Sequence, residues 1–263
     1  MYGPGLFADS FAAIDSLKAE LDKRRPLTQG EIERLQEDFA VEYTHDSTAI
    51  EGNTLTLQET ALVLAGVTIS QKPLKDHLEV FGHKEAFSYV CDLVTNKTPL
   101  SEAIVKKLHT LVLMARPNDG GVWRRVPVRI LTAFHLPPQP ERIQAKMDRL
   151  LADPDIAGMH PLQAAALFHL RFEGIHPFID GNGRTGRLIL NLSLMQNGYL
   201  PISIKYMQRS KYYDAFESYY REGDDGEAMT RLVIDYERME LEKRLALLGP
   251  APCQEDEWHG PRL

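Results

Sequence analysis

The sequence predicts an all-α fold, a helical bundle interrupted by one small β-hairpin. Three observations predict it. Apolar residues recur at helical spacing through most of the 263 residues. Ser, Thr and Pro stand where those helices would begin. A single stretch, residues 120–130, alternates apolar with polar side chains as a strand does.

In chain order, residues 11–23 read as an amphipathic helix stopped by Arg24-Arg25-Pro26. Thr28 is the expected N-cap of the next helix, with Glu31 completing a capping box and the helix running to about Tyr43. Beyond it, Ser47 and Glu51 are four apart and share a helical face, and Gly52 supplies a C-cap. A carboxylate at a helix C-terminus opposes the macrodipole, so Glu51 is expected to be held by a cation from elsewhere in the chain. Residues 55–64 and 77–94 continue the helical pattern, and Ser101 caps another helix to about Met114, with Glu102 in its first turn. His83, His109 and His169 lie on apolar helical patterns without ligand spacing and read as core histidines.

At Gly120-Gly121 the pattern changes. Val126, Val128 and Ile130 alternate with Pro127 and Arg129, and Pro137, Pro138 and Pro140 end the run. A short hairpin with a free edge is expected, able to recruit an extended segment of another chain. Helix resumes over residues 141–151, and His160-Pro161 opens the next. Ser210 is the expected N-cap of a helix over residues 211–220 that carries Tyr212, Tyr213, Phe216, Tyr219 and Tyr220. Residues 228–248 form a last, charged amphipathic helix before a polar tail, expected to be mobile.

Between two strongly apolar helical stretches lies His176-Pro177-Phe178-Ile179-Asp180-Gly181-Asn182-Gly183-Arg184-Thr185-Gly186-Arg187. Its three glycines permit positive φ, so successive N–H groups can converge on an anion where the second helix begins. Arg184 and Arg187, three apart on the first turn, are placed to grip phosphates in pairs. Cations at a helix N-terminus oppose the macrodipole and call for an anion there. Asp180 is a hard oxygen ligand suited to magnesium, and His176 is the side chain that exchanges a proton near neutral pH. A Walker P-loop would need a Gly-Lys-Ser/Thr ending, which Gly183-Arg184-Thr185 lacks.

The string resembles the Fic signature, His-x-Phe-x-Asp/Glu-Gly-Asn-Gly-Arg-x-x-Arg, with every anchor present. The resemblance covers the chain from about Ser47 to Tyr220. Ser47-x-x-x-Glu51-Gly52 is similar to the inhibitory motif of Fic proteins whose inhibitor helix lies N-terminal to the catalytic core. The resemblance implies a Fic fold with an N-terminal region over residues 1–97 carrying the inhibitory helix at about 44–52. A catalytic core over 98–236 and a helix end with tail over 237–263 would follow. It further implies transfer of AMP from ATP to a Ser, Thr or Tyr hydroxyl of a protein, or of the chain itself, with Mg2+ as cofactor.

In that reading His176 is the general base and Asp180 the metal ligand. The nucleotide-binding set is Asp180, Gly181, Asn182, Gly183, Arg184, Thr185, Gly186, Arg187, Tyr212, Tyr213 and Tyr220. Relatives that transfer phosphate carry lysine at the position of Gly183, so Gly183 favours AMP transfer. Tyr212-Tyr213 resembles the family's tyrosine pair near adenosine, whereas Tyr220 stands where the pattern has asparagine. The hairpin resembles the family's flap, and Val128, Ile130, Thr132, Ala133, Phe134 and His135 are its expected substrate-binding residues. Glu51 would pair with Arg187 and displace the γ-phosphate. Two other readings stay open: removal of AMP from a modified protein through Glu51, as animal members of the family permit, and a nucleotide-binding interaction module whose catalysis has lapsed. Relatives with such an inhibitory helix often form dimers, so a homodimer is among the expected states.

Composition sets the remaining bounds. The 43% hydrophobic content suffices for a sizeable core, and a net charge of −7 supplies no general field toward nucleic acid or anionic membrane. Neither a leader-like N-terminus nor a membrane-length apolar run is present, so a cytoplasmic protein with no membrane or nucleic-acid partner is expected. Cys91 and Cys253 lack metal or disulfide spacing and are expected to be free thiols.

Overall fold

The computed structural model describes residues 6–24, 26–130, 135–223 and 225–249. Its helices are α1 (Ala8–Asp22), α2 (Gln29–Ile50), α3 (Leu57–Leu64), α4 (Leu74–Thr95), α5 (Glu102–Val112), α6 (Ile143–Leu151), α7 (Pro154–Ala157), α8 (Pro161–Ile175), α9 (Asn182–Gln196), α10 (Arg209–Glu217) and α11 (Glu227–Leu248). The capping residues act as their types dictate. Thr28 and Thr56 each close a reciprocal box with Glu31 and Glu59, and Ser101 accepts from the Ile104 N–H.

Helices α8 and α9 form the centre because each buries apolar side chains on two sides. One core joins Phe172 and Ile175 of α8 and Leu188, Ile189 and Leu192 of α9 to residues of α2, α4, α5 and α6. The other joins Leu162, Ala165, Ala166 and Leu170 of α8 and Leu190 and Leu194 of α9 to residues of α1, α10 and α11. A small third cluster, Leu55, Val63 and Val80, fastens α3 to α4. The α8–α9 loop is thereby suspended between two packed cores.

Three expectations change in the structure. Helix α2 continues as one element to Ile50 instead of ending near Tyr43, because Tyr43, Thr44, Asp46, Ser47, Thr48, Ala49 and Ile50 are all buried by tertiary contacts. Ser210 is not an N-cap: α10 starts at Arg209, following a 3-10 turn at Tyr206–Gln208 that already bends the chain. Among the described residues the 120–130 stretch forms no strand. Instead of a partner strand, the Arg124 guanidinium donates to the carbonyls of Val126 and Pro138 at 3.0 and 2.5 Å, and Pro127 has no N–H to give to a ladder. Thr132, Ala133 and Phe134 lie outside the described residues, as does Cys253. Cys91 is a free, half-buried thiol that burial, and then Asp92, push up to about 11.

Candidate active site

His176 ends α8 in the left-handed region (φ 47°, ψ 60°), and Gly181 opens α9 in the same region (φ 76°). Glycine adopts this freely, whereas a histidine held there stores about 1–3 kcal/mol of strain. Asn182 closes the loop between them. Its Oδ1 accepts the Phe178 N–H at 2.9 Å and its Nδ2 donates to the Phe178 carbonyl at 2.9 Å. The Phe178 ring stacks on His109 at 3.5 Å, and His109 Nε2 bonds the Asp180 carbonyl at 2.9 Å. His109 is a buried, fully bonded histidine whose burial pulls its imidazole down to about 4. It is neutral at pH 7, and since Nδ1 accepts the Gly121 N–H at 2.9 Å, Nε2 carries the proton.

Such a loop leaves the first-turn N–H groups of α9, from Asn182 onward, without intrahelical partners, which makes an anion cradle. The Glu51 carboxylate stands over it. A Cβ on Gly183 would lie 2.3 Å from Glu51 Oε1 and 3.0 Å from Arg187 Nη1. Arg187, only 2% exposed, donates from Nη2 to Glu51 Oε1 and to the Ser47 carbonyl, each at 2.8 Å, and from Nε to Ser47 Oγ at 3.0 Å. Although burial lowers the Arg187 pKa, its neighbours Tyr212 and Glu51 more than offset that, and the guanidinium stays charged. Glu51 is itself the C-cap of α2, followed by Gly52 at φ 94°, so the cation its position called for is Arg187.

Arg184 is equally buried but faces other carboxylates, Glu79 Oε1 at 3.1 Å and Asp180 Oδ1 at 3.2 Å. Asp180 also accepts from the Gly181 N–H at 2.6 Å and from Arg116 at 3.2 Å. Burial alone would raise the Asp180 carboxyl; Arg184, the Gly181 N–H and Arg116 hold it below its usual value, hence ionised. His176 Nδ1 is buried 3.7 Å from Glu173 Oε2. Among the remaining motif residues Thr185 is buried, and a Cβ on Gly186 would meet His169 Nδ1 at 2.7 Å, so that glycine also permits the close α8–α9 approach.

The three tyrosines separate. Tyr212 is buried, its hydroxyl 2.7 Å from His169 Nε2 and 3.3 Å from Arg187 Nη1, which leaves no ring face for a ligand. Tyr213 is about half exposed beside Glu51, and its hydroxyl donates to the Ile50 carbonyl at 3.2 Å. Tyr220 packs against Gly174, donates to the Leu170 carbonyl, and stacks on His135 at 4.3 Å. His135 Nε2 meets the Gly174 carbonyl at 2.6 Å, and Val128 and Ile130 are half-buried. Glu79, Arg116, Arg124 and Glu173 are the residues at the site that sequence reasoning did not single out. Glu79, Arg116 and Arg124 are ordinary charged residues with partners on other elements, so spacing carried no signal, whereas Glu173 stands three residues before His176 on the same helix.

Comparison with known proteins follows the same geography. Residues 99–194 match the Fic/DOC family model. The chain is 34% identical over 229 residues to Protein adenylyltransferase Fic of Drosophila melanogaster, covering 82% of this chain and 46% of that protein. With the protein of the same name in Nematostella vectensis the identity is 36% over 214 residues, covering 76% and 48%. The chain thus spans about half the length of these curated relatives. A crystal structure of a Fic domain containing signaling protein from Bacteroides thetaiotaomicron superposes with a TM-score of 0.83 at 26% identity, covering 91% of this chain and 96% of that one. Motif, loop geometry and helix arrangement agree, and the chain belongs to the Fic/DOC family.

Proposed function

We propose that the chain is a protein adenylyltransferase, moving AMP from ATP to a protein hydroxyl, and that its own Glu51 holds it idle. The observation that carries this reading is the Glu51 carboxylate lying over Gly183 in the grip of Arg187, an acidic stand-in on a cradle built for phosphate. Relatives named for adenylyl transfer support it.

With Glu51 withdrawn, Arg187 and the first-turn N–H groups of α9 receive the triphosphate, and Tyr213 offers the exposed ring. His176 takes the proton of the acceptor hydroxyl as its oxygen attacks the α-phosphorus. One bond forms, oxygen to α-phosphorus; one breaks, α-phosphorus to the bridging oxygen; pyrophosphate leaves with the electron pair. The cradle's N–H groups stabilise the charge that develops on the α-phosphate. Asp180 fits a magnesium ion arriving with the nucleotide, because it is ionised, about one-third exposed, and magnesium takes one or two carboxylates beside phosphate oxygens and water. Such an ion supplies neutralisation of phosphate charge. The flap region after Arg124 receives the acceptor chain.

The test compares α-labelled with γ-labelled ATP in the Glu51→Gly protein. Label retained on protein from the α position alone, and lost with His176→Ala, is expected. Retention of γ-label would make it a phosphoryl transferase, and binding without any retained label would make it a module without chemistry.

A further inference from the structure

Arg124 is buried, yet among the described residues its guanidinium meets carbonyl oxygens and no carboxylate. Its Nε donates to the His176 carbonyl at 2.8 Å, Nη1 to Val126 at 3.0 Å and Nη2 to Pro138 at 2.5 Å. Its backbone N–H donates to the Pro177 carbonyl at 2.9 Å. One residue therefore holds two consecutive carbonyls of the turn that carries the imidazole, and ties Val126 to Pro138. Burial without a counter-charge lowers the guanidinium pKa, so nothing in the way of ion pairing offsets the desolvation cost of placing it there.

The turn needs such a hold. His176 is left-handed and precedes a proline, a position that ordinarily drives the backbone to extended conformations. Asn182 fixes the Phe178 side of the turn, whereas the two carbonyls before it are met by Arg124. Neighbouring Trp123 reinforces the clamp, its ring 4.7 Å from that of Phe178 and its Nε1 bonded to Gln144 of α6.

We propose that Arg124 is a positioning residue that locks the backbone of His176 and holds Val126 and Pro138 against it, so that the imidazole meets an arriving acceptor hydroxyl in line. The kinetic part rests on the transfer reading above; the structural part does not. Lysine keeps the charge but cannot reach three divergent carbonyls, which makes Arg124→Lys the informative change.

In the Glu51→Gly background, Arg124→Lys should lower kcat about a hundredfold, the loss expected for a base displaced by about 1 Å. Its calorimetric Kd for ATP should stay unchanged within about twofold, because the cradle is not touched. Ethylguanidine should restore part of the rate to Arg124→Ala. Transfer by Arg124→Lys at the unsubstituted rate, or ATP affinity falling in step with kcat, would overturn the proposal. Two readouts need no transfer activity, and the first needs no variant. Nitrogen NMR of the unsubstituted protein should show the Arg124 Nε–H exchanging far more slowly than an exposed arginine, and free exchange there overturns the lock. Diethyl pyrocarbonate should modify His176 at a different rate in Arg124→Lys, and an identical rate counts against it. If Glu51→Gly transfers no AMP at all, the adenylyltransferase reading fails while these two measurements still decide on Arg124.

Discussion

Glu51 Oε1 stands 2.8 Å from Arg187 Nη2, although the two residues are 136 positions apart in the sequence. The pair sits in the space a side chain on Gly183 would fill, so in the proposed reading one carboxylate both neutralises the cradle's arginine and blocks the approach of a phosphate. Ser47 completes the grip from the preceding turn of α2. Little energy is required for inhibition of this kind, since losing about 3 kcal/mol of alignment slows a step more than roughly a hundredfold.

The end of α2 that presents Glu51 is itself latched by Asp46. That carboxylate accepts from Ser203 Oγ at 3.0 Å and the Tyr206 N–H at 3.2 Å, and lies 3.4 Å from Lys205 Nζ. Although burial raises its pKa, His45, the Tyr206 N–H and Lys205 bring it below the usual value, so it is charged. Asp46→Ala leaves those buried donors unpaired, at a cost of about 1–3 kcal/mol, and loosens the helix that presents Glu51. AMP incorporation by the otherwise wild-type chain should rise several-fold, with no further rise in the Glu51→Gly background. A rise of the same size in both backgrounds would place Asp46 outside the switch.

Two glycines inside helices should respond oppositely to alanine. A Cβ on Gly82 would come 2.3 Å from the Leu111 carbonyl oxygen, where α4 crosses α5. Around Gly30, at the start of α2, the space is open. Gly82→Ala should destabilise by about 1–3 kcal/mol through overpacking, and Gly30→Ala should stabilise by about 0.5–1 kcal/mol through backbone entropy. Urea unfolding of both variants reads the difference directly, and equal midpoints would mean the α4–α5 approach is looser than described.

Glu237 gives a pH dependence. It is buried on α11, where burial, opposed only in part by the Leu200 N–H, pushes its carboxyl up to about 8. Between 4.5 and about 8 the folded chain therefore keeps a proton that the unfolded chain has released, and stability from this group is lost as pH rises through that window. Glu237→Gln removes the slope. The variant should gain about 4 kcal/mol over the wild type at pH 7.5 and only about 1 kcal/mol at pH 5. Buried His109 and His169, pulled down to about 4 and about 3, act in the opposite direction but equally in both proteins, so they cancel in the comparison. A stability difference independent of pH would show that the carboxyl is hydrated.

Much of the site was legible because its parts are local. The α8–loop–α9 unit follows from two apolar helices around three glycines, and the need for a cation at Glu51 follows from its place at a helix end. What escaped was set by distant neighbours. Burial of its last two turns lengthened α2, and neighbouring Tyr212 and Tyr213 could not be told apart as inward and outward rings until α10 was packed. Alternation in the 126–130 stretch suggested pairing, but a strand pattern does not reveal that a buried arginine already satisfies the carbonyls a partner strand would use.

The most direct measurement is incorporation of label from α-labelled ATP into protein by the wild type and by Glu51→Gly under identical conditions, with the chain itself and a cell lysate as acceptors. Incorporation should be at least about tenfold higher in the variant, since about 1.4 kcal/mol of relieved obstruction already gives that factor. Equal incorporation by the two proteins would contradict the account.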